Sequence, residues 1–294
     1  MTDHHDGCCG RRKSGVRLID ARMPELARCL TLFRYVQAVT GGPVARIEQA
    51  GSYAVPSVRG EAFAVRPGSI ALRLDAAGIA AAVVARDEVT GSVALRLLDA
   101  AGRTVHQGRL LSEGDRLLVG LARTVDAGAR TAGPAAVPEA AGWEYGDQLA
   151  QLDAVLADGG AARRGAFDRY RGEHRAVEPG VVPAVLDHVC SLGLPIGVAV
   201  FVPGAMQACA GRVHVTDRTV GGRVFAAVAE SSVEIDLAAV RACHLIRSTA
   251  PHGPTSAIEL YDADGRCVAL ITQFGIVGSD VHTAWEHLAA SLPG

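Results

Sequence analysis

The chain has 294 residues, 49% of them hydrophobic and 20% charged, with 29 Lys and Arg against 31 Asp and Glu and a formal net charge of -2. That length suffices for two domains with their own cores, and the near-balanced charge gives no electrostatic footprint for nucleic acid or an anionic membrane. Seven cysteines, an odd number with no CxxC pair, fit a reducing cytosol better than a disulfide framework.

The opening MTDHHDGCCGRRKSG has no apolar core of a signal peptide and no periodicity, so residues 1 to 15 read as a disordered tail. Pro24 at a helix N1 position opens PELARCLTLFRYV, with Leu26, Leu30 and Phe33 at helical spacing. Strands follow in SIALRL, AAVVA and VALRLLDAAGRTVHQGRL, the last being two strands around a turn in which Asp99 and Gly102 supply the local hydrogen bond and the positive φ. Ser112 and Glu113 cap a closing helix carrying Leu117, Leu118 and Leu121.

From 126 to 142 Ala, Gly and Pro displace every large apolar residue, the mark of a linker. Beyond it, DQLAQLDAVLADGG reads as a helix stopped by Gly159 and Gly160, and PAVLDHVCSLG as one running from Pro183 to Gly193. The run LGLPIGVAVFVPG is the longest apolar stretch, and its prolines and glycines exclude a membrane-spanning helix. Strands are expected in GRVHV, RVFAAVA, SSVEIDL, ACHLIR, AIELYD and RCVALITQF. A last helix starts near Ser279 and Asp280 with Val281, Trp285, Leu288 and Leu292 as its apolar stripe.

A repeat organises these elements. Residues 69 to 105 align with 232 to 268 at a constant offset of 163 with no gap and ten identities in 37 positions. The match is densest at the hairpin, where Leu97, Asp99, Ala100, Gly102, Arg103 and Val105 recur as Leu260, Asp262, Ala263, Gly265, Arg266 and Val268. A unit of this length is a domain, not a solenoid repeat. The expected organisation is a tail (1–15), repeat 1 (16–125), a linker (126–142) and repeat 2 (143–294). The class is α+β, two stacked halves each with a large antiparallel sheet and flanking helices.

No GxSxG, HExxH, P-loop or GxGxxG after a strand is present. His4, His5, Cys8 and Cys9 offer metal-ligand types within six residues, but vicinal cysteines on a tail make no pre-organised site. His188 sits on an apolar helix, His214 and His244 lie mid-strand, and His282 and His287 flank Trp285; such histidines are more often structural than ligands. The segment RRGAFDRYRGEH gathers Arg163, Arg164, Arg169 and Arg171, either an anion cradle or a solvated face balanced by Asp168 and Glu173.

The duplication and the paired DAxG hairpins resemble the HemS/HmuS family of bacterial cytoplasmic haem-handling proteins, the haemin-degrading factors. The resemblance covers nearly all of residues 16 to 293. It runs through PELARCLTLFRYVQAV, GSIALRL and LRLLDAAGRTVHQGRL in the first half and GRVHVTD, SSVEIDLAAVRACHLIRS, SAIELYDADGRCVALITQFG and AWEHLAASLP in the second. It implies one haem held between sheet and helices, a cytoplasmic role in iron acquisition by carrying haem or supporting its degradation, and as partners a haem importer upstream and a haem acceptor downstream, with no nucleic acid and no membrane insertion. The family's axial histidine falls at Ala150, or at Leu149 or Gln151 with a one-residue shift, none of which is a competent iron ligand. Its lysine falls at Ser248 beside a retained Arg247, and its Tyr-Gly-x-Arg contact reads Phe274, Gly275, Ile276, Val277. The site residues implied for haem are therefore Arg34, Arg247 and Phe274, with His174 and His214 as replacement ligands and no recognisable catalytic signature. The alternative is a non-catalytic module on the same scaffold, binding another small apolar molecule or a protein.

Overall fold

The computed structural model describes residues 17–19, 23–58, 63–66, 68–87, 90–120, 124–125, 148–165, 167, 174–219, 221–250, 253–274 and 277–294. The tail with its HHDGCC group, the linker, and most of the RRGAFDRYRGEH cluster lie outside these residues.

The first half runs β1 (Arg17–Ile19), α1 (Met23–Leu30), β2 (Val36–Gly41), β3 (Ala45–Tyr53), β4 (Ser57–Val58), β5 (Ser69–Leu74), β6 (Ala81–Arg86), β7 (Val93–Leu98), β8 (Thr104–Leu110), α2 (Glu113–Gly120) and β9 (Thr124–Val125). The second runs α3 (Gln148–Asp158), α4 (Ala161–Gly165), β10 (His174–Val177), α5 (Val181–Leu192), β11 (Pro195–Val202), β12 (Ala205–Arg218), β13 (Arg223–Val228), β14 (Ser231–Asp236), β15 (Ala242–Ala250), β16 (Gly253–Tyr261), β17 (Cys267–Thr272) and α6 (Ser279–Ser291). The α+β class stands, built on antiparallel ladders.

Each half repeats one strand order: β1-β6-β7-β8-β2-β3 in the first and β10-β15-β16-β17-β11-β12 in the second, antiparallel throughout. The duplicated hairpins share the same hydrogen bonds to the backbone of the turn. In both, the aspartate N–H donates to the arginine carbonyl at 2.9 Å, and the aspartate Oδ1 accepts from two backbone N–H groups, those of Ala101 and Arg103 in one and Asp264 and Arg266 in the other. Gly102 and Gly265 share φ 75, a left-handed conformation that a side chain disfavours. A register shift follows at Leu97/Leu98 and again at Leu260/Tyr261. This bulge keeps every side chain downstream of the turn on its intended face.

The halves also trade strands. β14 of the second half pairs with β3 of the first, Val233 opposite Ile47, while β5 of the first pairs with β12 of the second, Leu72 opposite Gln207. Ala45 and Ile47 accordingly belong to the apolar core of the second half, and Ala205 to that of the first. Neither half completes its ladders alone.

Where the structure departs from sequence expectation, the reason is physical. α1 ends at Leu30, and the chain from Val36 forms a β2–β3 hairpin that helical spacing had concealed; Leu26, Leu30 and Phe33 are nevertheless buried. The apolar run 195–202 is β11, central in its sheet and covered on both faces, so it lacks alternation. α2 turns its leucines outward, with Leu117 68% and Leu118 41% exposed. It buries Asp115 instead, whose carboxylate accepts the N–H groups of Arg34 (3.0 Å) and Tyr35 (3.2 Å), and these donors hold its pKa below the usual carboxylate range against its burial. α3 stops at Gly159 and Gly160, both at positive φ, and α5 at Gly193, whose N–H bonds to the Cys190 carbonyl.

Candidate functional site

The second-half sheet has two covered faces. Strand alternation puts His244, Ile246 and Ser248 of β15 on the face under α3 and turns Leu245 and Arg247 to the other, toward α5 and α6. Under α3, Leu152, Val155 and Leu156 pack with Phe167, Ile246, Ala257, Tyr261 and Leu270, and Phe274 joins this cluster. Phe274 is held over Gly197, where an added methyl would overlap its ring.

A polar cluster crosses this otherwise apolar layer. Glu259, fully buried on β16, accepts from Tyr261 Oη (2.6 Å) and from Gln151 Nε2 of α3 (2.5 Å). Gln148 Nε2 donates to the Gln273 carbonyl at 2.8 Å. These two amides fasten α3 to the sheet on either side of Ala150, which is half-buried and offers no donor atom. Ser248 is buried, and its Oγ has no partner among the described residues. A charged residue inside the apolar strand AIELY was the one sequence signal for Glu259; nothing local announced Gln151.

His244 lies opposite Glu259 in register. Its ring lies 4.7 Å from Phe167 and 5.6 Å from Tyr261, centroid to centroid. Burial pulls its imidazole below the usual histidine range, with Glu259 opposing and Arg164 and His174 reinforcing the shift. Its Nδ1 is buried without a partner among the described residues, which leaves an unengaged imidazole nitrogen inside the sheet layer. His244, by its mid-strand position a structural or pairing residue, thus lies in the buried layer under α3.

His174 stacks on the other side of Phe167, centroids 5.4 Å apart. It opens β10 at the sheet edge, half-buried, and with Arg175, Arg247 and His287 it lines a cavity of about 520 Å³ walled by Leu245 and Ala290. Arg175 donates to the Ala289 carbonyl at 2.8 Å and to the Leu292 carbonyl, tying β10 to the C-terminal end of α6, where a cation is favoured by the helix dipole. Arg247 pairs with Glu286 of α6 at 3.4 Å, and Glu286 also accepts from the N–H and Oγ of Ser256.

Of the positions singled out in the sequence, His174 and Arg247 both line this cavity at the sheet edge, though from different faces: His174, opposite Ile246 and stacked on Phe167, is on the α3 face with Phe274, and Arg247 faces α6. Arg34 is exposed in the first half beside α2, and His214 is exposed on β12. Neither reaches this cavity. Arg164, of the basic segment, lies over the Tyr261 ring at 5.7 Å. Among the described residues there is no cluster of three or more metal-ligand side chains, and no helix is long and apolar enough to cross a membrane.

No protein-family model matches the chain, and no curated protein matches it. Solved structures do. Apo- and holo-PhuS, a haem-binding protein from Pseudomonas aeruginosa, superpose with a TM-score of 0.76 at 21% identity, covering 95% of this chain and 87% of PhuS. ChuS, an E. coli haem oxygenase, superposes with a TM-score of 0.77 at 16% identity, covering 94% of this chain and 88% of ChuS. Over nearly its whole length the chain therefore has the fold of the haem proteins PhuS and ChuS.

Proposed function

We propose that this protein carries haem in the cytoplasm as cargo, in its second half, with the nitrogen donor moved away from position 150. The reading rests on one observation above the others: His174 and Arg247, set apart in the sequence for separate reasons, line the same cavity of about 520 Å³. That volume lies within the range of about 300–1,000 Å³ of small-molecule sites. A haem needs an axial donor, an apolar wall and cations for its propionates. His174 and His287 supply imidazoles, Leu245 and Ala290 apolar surface, and Arg247 a guanidinium already held by Glu286. Position 150 does not fit the role, since alanine has no ligating atom. His174 binds the iron, and Arg247 exchanges part of its contact with Glu286 for a propionate.

Titration of the purified protein with ferric haem tests this. The expected result is a saturable one-to-one Soret band that weakens and shifts in His174→Ala and is unchanged in His214→Ala. A spectrum without saturation, or one indifferent to His174→Ala, overturns the assignment.

A second reading has its own support. Gln148 and Gln151 draw α3 onto the sheet around Ala150, which closes the α3 face and favours a non-catalytic module for a smaller ligand. Absence of any saturable haem band makes that the better account.

A further inference from the structure

A second cavity, of about 360 Å³, lies where the two repeats meet, and both copies of the duplicated hairpin line it. Its apolar lining comes from Val105, Val155, Phe201 and Val268, and its charges come from the turns: Asp99 and Arg103 from one repeat, Asp262, Asp264 and Arg266 from the other.

The two arginines occupy equivalent positions but different states. Arg103 Nε is bonded to Asp99 Oδ2 at 2.7 Å. Asp99 has its charge answered twice over, by that guanidinium and by two backbone N–H groups, which together hold its pKa below the usual range against desolvation. Asp262 likewise accepts two backbone N–H groups. Arg266 differs. Its aliphatic stem lies against Gly159 at the end of α3, where an added Cβ would come within 3.0 Å of Arg266 Cγ, and its exposed guanidinium has no ion pair among the described residues. Asp264, exposed on the same turn, has only its backbone N–H engaged, toward Asp262. Among the described residues, Arg266 and Asp264 therefore carry no ion pair beside an apolar floor, with the Arg164 guanidinium set against Gly265 between them.

We infer that this inter-repeat cavity is a binding site for a small zwitterion with an apolar body, its carboxylate on the Arg266 guanidinium and its ammonium on the Asp264 carboxylate. Arg103 is the structural copy of the same arginine, consumed within its own turn, and the duplication left Arg266 for a ligand. The volume, near the low end of small-molecule sites, limits the guest to about the size of one large amino acid. The site is separate from the cavity at His174 and does not depend on haem.

Calorimetric titration with L-phenylalanine, 3-phenylpropionate and phenethylamine tests it, since the three share an apolar body and differ in charge. The expected result is one-to-one binding of phenylalanine, with each single-charge analogue weaker by roughly tenfold or more for its lost charged contact. Arg266→Gln should abolish phenylalanine binding, Asp264→Asn should weaken phenylalanine but leave phenylpropionate unchanged, and Arg103→Gln should leave phenylalanine affinity as it was. Absence of saturable phenylalanine binding, binding indifferent to Arg266→Gln, or phenylpropionate binding as tightly as phenylalanine overturns the assignment. Phenylalanine titration of His174→Ala should match the wild type, which separates failure here from failure of the haem reading.

Discussion

Asp153→Ala is the substitution with the largest expected consequence for the architecture. Asp153 projects from α3 to the fully buried Arg73 of β5, with Nε to Oδ1 at 2.6 Å and Nη2 to Oδ2 at 2.8 Å, while Arg73 Nη1 donates to Ser57 Oγ at 2.8 Å. The Arg73 side chain has 0% exposure and Asp153 17%, so removing the carboxylate takes the Asp153 counter-charge from a buried guanidinium that keeps its bond to Ser57 Oγ. Breaking a buried pair from one side costs about 3–5 kcal/mol. The partial exposure of Asp153 argues for the lower half of that range. At roughly 2 °C per kcal/mol, the low end fitting a chain of this length, the melting temperature should fall by about 6–8 °C. Urea unfolding followed by circular dichroism, with unchanged slope, measures the loss directly. Amide exchange should quicken at Leu152, Val155 and Leu156, because the pair ties α3 to a strand of the other half. The double variant Arg73→Met with Asp153→Leu should recover most of the loss, since an apolar replacement removes both charges together. A cost below about 1 kcal/mol for Asp153→Ala would mean that the pair is solvated and that α3 is held by its apolar face alone.

Two further outcomes follow from the site and the core. Ala150→His places an imidazole between the anchoring residues Gln148 and Gln151 of α3 and should add a second, spectrally distinct ferric haem complex; Leu149→His is the control for register, and no change in either variant would show that the α3 face admits no porphyrin. His106 is buried between Thr40 Oγ1 and Tyr53 Oη, each at 2.7 Å, and burial pushes its pKa down to about 3. Its folded value lies below the unfolded value of about 6.5, so the unfolded chain binds the extra proton, and the stability present above pH 6.5 is lost as pH falls toward 3. His106→Gln should flatten that part of the difference between the two unfolding profiles, and identical slopes for both proteins would show that this histidine is not the group being titrated.

How much of this was legible in the sequence depended on the range of the interaction. The DAxG turns were readable because their causes lie within five residues: an aspartate that accepts two N–H groups, a glycine at positive φ, and an arginine to close the turn. Helix stops at Gly159 and Gly193 were readable for the same local reason. The repeat was readable because a slipped residue would invert every downstream side chain, so the spacing could not drift. β11 hid because burial on both faces erases alternation, and α2 hid its orientation because an inward aspartate serves backbone N–H groups some 80 residues away.

Tertiary structure alone decided the rest. Arg73 alternates as a strand residue should, but only Asp153 on a helix from the other half lets its charge be buried. The exchange of β5 and β14 between halves rests on backbone pairing that any strand can offer, so its partners are chosen by the packing of the whole. The site depends on the same long reach. His174 and Arg247 lie on different strands and different faces, His174 stacked on Phe167 under α3 and Arg247 paired with α6, and only the open edge of the sheet at β10 brings both to one cavity.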